Sequence, residues 1–183
     1  MAYKNKTITN SKNGMSIRFL QTAADTGGKL LEMQASYHPH STEPPPHYHP
    51  YQDEVYTILQ GEFSSRINGE VKVLKKGDTL SIPHNTIHSA WNHTGDVTVI
   101  NWRVEPALNT EHFLETATGL ANDHKTDEKG MPSFLQRVAM GNTFSDAFRL
   151  SSPPFMVLKT IFVLLGPVAG LLGYKGIYEK YID

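Results

Sequence analysis

The sequence predicts a mostly β domain followed by a helical C-terminal extension, and three observations lead there. Between Thr7 and Val104 the chain breaks into short segments of alternating apolar and polar residues, punctuated by Gly, Pro, Asn and Asp. Asn68-Gly69, set between two such segments, carries the dipeptide that a two-residue hairpin turn demands. From Asn109 the apolar residues recur at the period of a helix instead.

Taken in order, Thr7–Thr9, Met15–Gln21 and Lys29–Tyr37 are predicted strands, with the turn-rich Asp25-Thr26-Gly27-Gly28 before the third. His38–Pro46 is a loop stiffened by Pro44-Pro45-Pro46, which delivers His47 in an extended conformation. Glu54–Leu59, Phe63–Ile67, Val71–Leu74, Thr79–Ile82, Ile87–His93 and Val97–Val104 complete the strands, and the β part ends at Glu105-Pro106. Asn109 or Thr110 caps a helix of about three turns carrying Phe113, Leu114, Ala117, Leu120 and Ala121. Pro132 opens a second helix with Phe134, Leu135, Val138, Ala139, Phe144, Ala147 and Phe148 on its apolar side, and Gly141-Asn142 is a place for a kink. The apolar stretch Phe155–Tyr174, whose one charge is Lys159, is read as two short helices broken at Gly166-Pro167. Arg149 before it and Lys175 after it give no bias toward membrane insertion.

The chemistry concentrates in one stretch, His47-Tyr48-His49-Pro50-Tyr51-Gln52-Asp53-Glu54, with His88 further on. Side chains alternate along a strand, so His47 and His49 face the same way and can reach one ion together. Glu54 lies an odd number of residues beyond His49, so a bend or bulge must intervene, and Pro50 suits that interruption. His88 is the best remaining candidate for a fourth ligand. Gln52 and Asp53 are rival donors beside Glu54. Burying three imidazoles and a carboxylate with no ion between them would leave donors and charge poorly matched. Tyr56 and Ile58 share the face of Glu54, and Ala90 and Asn92 that of His88, so these four are candidates for a substrate pocket. Ile58 and the indoles of Trp91 and Trp102 are also natural packing residues. His38 and His40 form a second His-x-His pair, but in a proline-rich loop where solvation is the simpler reading.

Written as spacing, the first stretch is His, one residue, His, four residues, Glu, six residues, Gly61, and it is followed by Gly77, five residues, Pro83, one residue, Asn85, two residues, His88, three residues, Asn92. This pair of motifs resembles the two motifs of the cupin superfamily, over roughly Lys29–Glu105. Ser41 and Asn85 stand where that pattern has glycine; neither is a ligand position, and Asn tolerates the left-handed backbone that such a turn requires. The resemblance implies a jelly-roll-like double-stranded β-helix barrel over residues 1–106 with one divalent metal at its centre. Residues 107–183 then form a helical extension, packed on the barrel or at a dimer interface.

The chain of 183 residues can bury a core without staples, and its formal net charge of −1 runs in no blocks, so a nucleic-acid partner is not expected. With no cysteine, any metal must be held by nitrogen and oxygen. The polar start, Met1–Gly14, leads to a cytoplasmic expectation. Three neutral imidazoles and a carboxylate suit Fe, Mn, Ni, Cu or Zn and leave positions open for chemistry. The leading expectation is a dioxygenase-like enzyme acting on a small oxygenated organic molecule, with His47, His49, Glu54 and His88 on the metal and Glu54 and Tyr56 as catalytic groups. The alternatives are a metal-dependent isomerase or lyase and a non-enzymatic binding or sensing module. The expected partners are a small molecule and a second copy of the chain; a membrane is not expected.

Overall fold

A computed structural model describes residues 1–128 and 130–182. Two antiparallel sheets face one another. The first contains β1 (Thr7–Thr9), β2 (Ser16–Gln21), β3 (Leu31–Tyr37), β5 (Asp53–Gln60), β8 (Thr79–Ile82) and β10 (Thr98–Glu105), in the order β1-β2-β3-β10-β5-β8. The second contains β4 (His47–Tyr48), β6 (Glu62–Ile67), β7 (Glu70–Lys75), β9 (His88–Trp91) and β11 (Arg149–Leu150), in the order β11-β4-β9-β6-β7. Alternation along the strands sends Phe19, Leu31, Met33, Ala35, Ile58, Phe63, Ile100 and Val104 into the core between them. This is the β-rich architecture with a helical C-terminal region that the sequence predicts.

The turn chemistry follows the sequence. Asn68 and Gly69 both take positive φ, 49° and 93°, and join β6 to β7 in the register Ile67↔Glu70. Gly61, at φ 77°, turns β5 into β6 so close to the neighbouring strand that a Cβ there would lie 3.0 Å from the Val97 carbonyl. Asn85 adopts φ 61°, the left-handed conformation its side chain tolerates.

The helices are α1 (Ala23–Thr26), α2 (Thr110–Asn122), α3 (Phe134–Phe144) and α4 (Phe155–Leu171), with a short 3-10 turn at Glu179–Tyr181. The single turn α1 runs into the turn-rich Asp25-Thr26-Gly27-Gly28 and begins two residues before it. Thr22 caps it: its hydroxyl accepts from the Asp25 N–H, and the Asp25 carboxylate accepts from the Thr22 N–H. Ser133 caps α3 by accepting from the Gln136 N–H, and Phe134, expected on the apolar side, is exposed.

Three expectations for the extension need correction, the first being that α3 ends at Phe144, short of the Ala147 and Phe148 assigned to it. The stretch read as two helices is one, α4, with Pro167 inside it. Pro167 removes one ladder bond near the C-terminal end, and both Pro167 and Val163, whose carbonyl loses that bond, are exposed. The β structure does not end at Glu105 either, because β11 pairs with β4 at the edge of the second sheet. Among the described residues no helix is long and apolar enough to cross a membrane.

Candidate metal centre

The chain changes sheets between its two motif halves. It leaves β4 after Tyr48, bends at Pro50 and Tyr51, and re-enters as β5 in the opposite sheet at Asp53. The bend that the odd His49–Glu54 spacing requires therefore coincides with a crossover. His47 pairs directly with His88 across β4 and β9, His49 follows β4, and Glu54 reaches them from the other sheet. One ring nitrogen from each of His47, His49 and His88 lies within 4.8 Å of the others. Nitrogens bound to a common ion at about 2.1 Å stand up to about 4.2 Å apart, so small side-chain rotations bring the three into one coordination sphere. Glu54 adjoins this trio: its Oε2 is 2.8 Å from His88 Nε2 and 3.4 Å from His49 Nε2.

The hydrogen bonds around the rings decide their tautomers. His47 Nδ1 meets the Pro45 carbonyl at 3.1 Å, His88 Nδ1 meets the Thr86 carbonyl at 3.0 Å, and His49 Nδ1 meets the Ala147 carbonyl. A carbonyl only accepts, so each Nδ1 carries a proton, and in the neutral ring Nε2 keeps its lone pair. The Nε2 atoms of His49 and His88 are buried and meet the Glu54 carboxylate, with no other hydrogen-bond partner among the described residues. Lone pairs on two buried nitrogens and on the Glu54 carboxylate thus converge, an arrangement that calls for a cation among them.

Glu54 is only 1% exposed yet stays ionised. Burial favours the neutral acid, but His49 and His88 together hold its carboxyl well below the ordinary carboxylate range. Its Oε1 accepts from Trp102 Nε1 at 2.8 Å and its Oε2 from the Tyr56 hydroxyl at 3.1 Å. Burial and the charges of His88 and His49 push His47 down to about 3, so its ring is neutral near pH 7. For His49 burial acts in the same downward sense, but the Glu54 charge and hydrogen bonds outweigh it and lift the group above its ordinary value. Burial, then the Glu54 charge, push the Tyr56 phenol well up, so Tyr56 keeps its proton and serves as a donor.

The rival donors lie elsewhere. Gln52 is buried, and its Nε2 donates to the Pro106 and Ala107 carbonyls and to Thr110 Oγ1, at 2.8, 3.0 and 2.8 Å, tying the bend to the start of α2. Asp53 is exposed and accepts from the His84 backbone N–H at 2.7 Å and from its ring. Of the four pocket candidates, Tyr56, Ile58 and Ala90 are buried in the barrel core. Asn92 is buried too, but its amide donates to the carbonyls of His38 and Asp96, at 3.1 and 2.6 Å, and accepts from Thr94, which commits it to holding the loops at that end of the barrel.

Three contributors were missed in the sequence. Trp102, read as packing, also holds the carboxylate. The Ala147 carbonyl and the Phe148 ring come from the extension, Phe148 lying 4.7 Å from the His47 ring. The pairing Trp102↔Tyr56 puts the indole on the face of Glu54, a fact visible only once β5 and β10 are aligned.

Comparison with known proteins agrees with this geometry. A family profile described as a cupin domain matches residues 33–102. The chain is 31% identical over 140 residues, 71% of its own length, to the protein named oxidoreductase iacF from Pestalotiopsis fici. It is 36% identical over 55 residues, 30% of its length, to an uncharacterized protein from Aquifex aeolicus. It spans 66% of the first relative's length and 45% of the second's. Among solved structures, a predicted oxalate decarboxylase from Thermotoga maritima superposes with a TM-score of 0.50 at 21% identity, over 58% of this chain and 99% of that one; at that identity the likeness shows the fold alone.

Proposed function

From its membership of the cupin superfamily and the arrangement of its buried histidines, we propose that this chain is a mononuclear metal oxidoreductase of dioxygenase type, acting on a small oxygenated organic molecule. The observation that carries the reading is the set of three imidazoles, each with Nδ1–H spent on a backbone carbonyl, gathered beside an ionised and buried Glu54. His47, His49 and His88 would hold the ion through neutral nitrogens, and Glu54 would complete a singly negative ligand set. Such a set suits a redox-capable divalent metal, which when bound supplies Lewis acidity and a path for electrons between substrate and oxygen. The naming of the Pestalotiopsis fici relative as an oxidoreductase supports the same direction.

The residues around the ligands define what the protein itself does. Trp102 and Tyr56 hold the two oxygens of Glu54 and so fix its direction. Detached from the ion, Glu54 would accept a substrate hydroxyl or enol proton. Tyr56 stays protonated and steadies the carboxylate in both of its states. The aromatic and aliphatic core beneath, with Phe63 and Ile58 fully buried, keeps bulk water from that side.

The test is reconstitution of metal-free protein with Fe, Mn, Ni or Cu, followed by oxygen-electrode assays with enol, diketone and flavonoid-like compounds. Metal-dependent oxygen uptake is the expected result. Anaerobic turnover would move the assignment to isomerase or lyase chemistry. Tight ligand binding without turnover would move it to a binding module.

A further inference from the structure

Part of the candidate metal centre is made by the helical extension. After α3 the chain passes through Ala147 and Phe148 into β11, whose register Arg149↔Tyr48 and Leu150↔His47 lays it along the strand that carries His47. The Ser151 N–H donates to the Pro46 carbonyl at 3.0 Å, fastening the far end of this segment. At its near end the N–H groups of Ala147 and Phe148 both donate to the Phe144 carbonyl, at 3.0 and 2.9 Å. The Arg149 guanidinium lies 3.6 Å from the centre of the Phe155 ring at the start of α4. Residues 147–151 are therefore held from the barrel side and from the helical side.

Two groups of this segment meet the histidines. The Ala147 carbonyl orients His49 from 98 residues away, whereas the carbonyls that orient His47 and His88 each lie two residues before their own ring. The Phe148 ring lies 4.7 Å from the His47 ring at an interplanar angle of 32°, and 6.3 Å from that of His49. The same ring stacks on Phe113 of α2 at 5.0 Å and 21°, and Phe113 meets Phe144 edge-on at 5.4 Å. A continuous aromatic row thus runs from His47 through Phe148 and Phe113 into the core of the extension. Phe148 is only partly buried, and with His47 against one face and Phe113 against the other it presents an edge rather than a face to an incoming molecule.

We infer that Phe148, seated on Phe113, is a wall of the metal site that determines which ligands reach the ion, and that it selects flat molecules with an apolar face over small non-aromatic ones. The inference rests on the metal-centre reading above. The edge of an aromatic ring beside the ligands offers an edge-to-face contact to a planar enol or ring compound while that compound's oxygen atoms approach the ion. The wall also narrows the route by which a soluble chelator reaches the ion.

The test uses the full chain loaded with Co²⁺ and two bidentate, singly charged oxygen chelators: tropolone, which is a flat ring, and acetohydroxamate, which has no ring. Calorimetry gives the Co²⁺ stoichiometry, visible absorption follows each chelator, and the rate at which EDTA strips the ion reports on access. In Phe148→Ala the preference for tropolone over acetohydroxamate should fall about five- to tenfold, and stripping should accelerate, with the stoichiometry still one per chain. Phe113→Leu, which removes the support of Phe148 away from the ligands, should shift both readouts the same way by less. Phe148→Tyr should keep the wild-type preference. A loaded protein in which Phe148→Ala changes neither the preference nor the stripping rate overturns this inference and leaves the metal centre standing. Failure of the wild type to take up Co²⁺ overturns the centre and the wall together.

Discussion

The two oxygens of Glu54 are spoken for by different residues, and their removal should have different effects. Trp102→Phe deletes the donor to Oε1 and leaves part of a buried carboxylate without a partner. We expect metal affinity to fall about 10- to 100-fold, measured calorimetrically, whereas unchanged affinity would mean the indole only packs. A second carboxylate gives a pH signature outside the metal ligands. Glu43 accepts from Arg66 Nε and Nη2 at 2.8 and 3.1 Å and from the Ser89 hydroxyl at 2.6 Å. Arg66 chiefly holds it below its ordinary value of 4.5, against the upward effect of burial. Its contribution to stability is therefore present above about pH 4.5 and lost as the pH falls through the lower folded-state value. Glu43→Gln should be less stable than wild type near pH 7, and the difference should shrink under acid; a difference that stays constant with pH would contradict this. At this scale His47, His49, Glu54 and His88 were legible because their spacing is local within each motif. Trp102 was not, because its role depends on a strand register. The Ala147 carbonyl leaves no trace in side-chain identity at all.

Among the elements, the strands were legible wherever one face met the core and the other met water. Thr7–Thr9 and Thr79–Ile82 fall where the alternation puts them, and β5, β6 and β7 extend only a residue or so beyond their predicted limits. The two-residue β11 has too little sequence to show a period, and its pairing with β4 is long-range. The unbroken α4 is not legible in sequence, because the effect of Pro167 depends on where the freed carbonyl points. The contact between α3 and α4 turns on Gly141, where an added Cβ would collide with the Phe162 ring. Gly141→Ala should gain about 1 kcal/mol of helix propensity and lose about 1–3 kcal/mol to overpacking. We expect a lower Tm in thermal unfolding. A higher Tm would show that α4 yields easily and is loosely docked.

At the scale of the molecule, the candidate centre joins both sheets and the extension. His47 and His88 stand on one sheet and Glu54 on the other, and His49 is oriented by the segment after α3. A bound ion should therefore staple all three. At a free concentration of 100 times Kd, mass action contributes about 2.7 kcal/mol, which for a chain of this size raises Tm by roughly 5–11 °C. His88→Ala should shrink that rise at the same metal concentration while leaving the metal-free fold intact by circular dichroism. This arrangement also marks the limit of what sequence could show, since motifs within 47–92 announce the ligands but not the extension that helps to seat them. The most direct measurement is X-ray absorption at the metal edge of protein loaded with one Zn²⁺ per chain. The account predicts a first shell near 2.0–2.1 Å with the outer-shell scattering of three imidazoles, reduced to two in His88→Ala. A spectrum without imidazole scattering, or one that His88→Ala leaves unchanged, would contradict it.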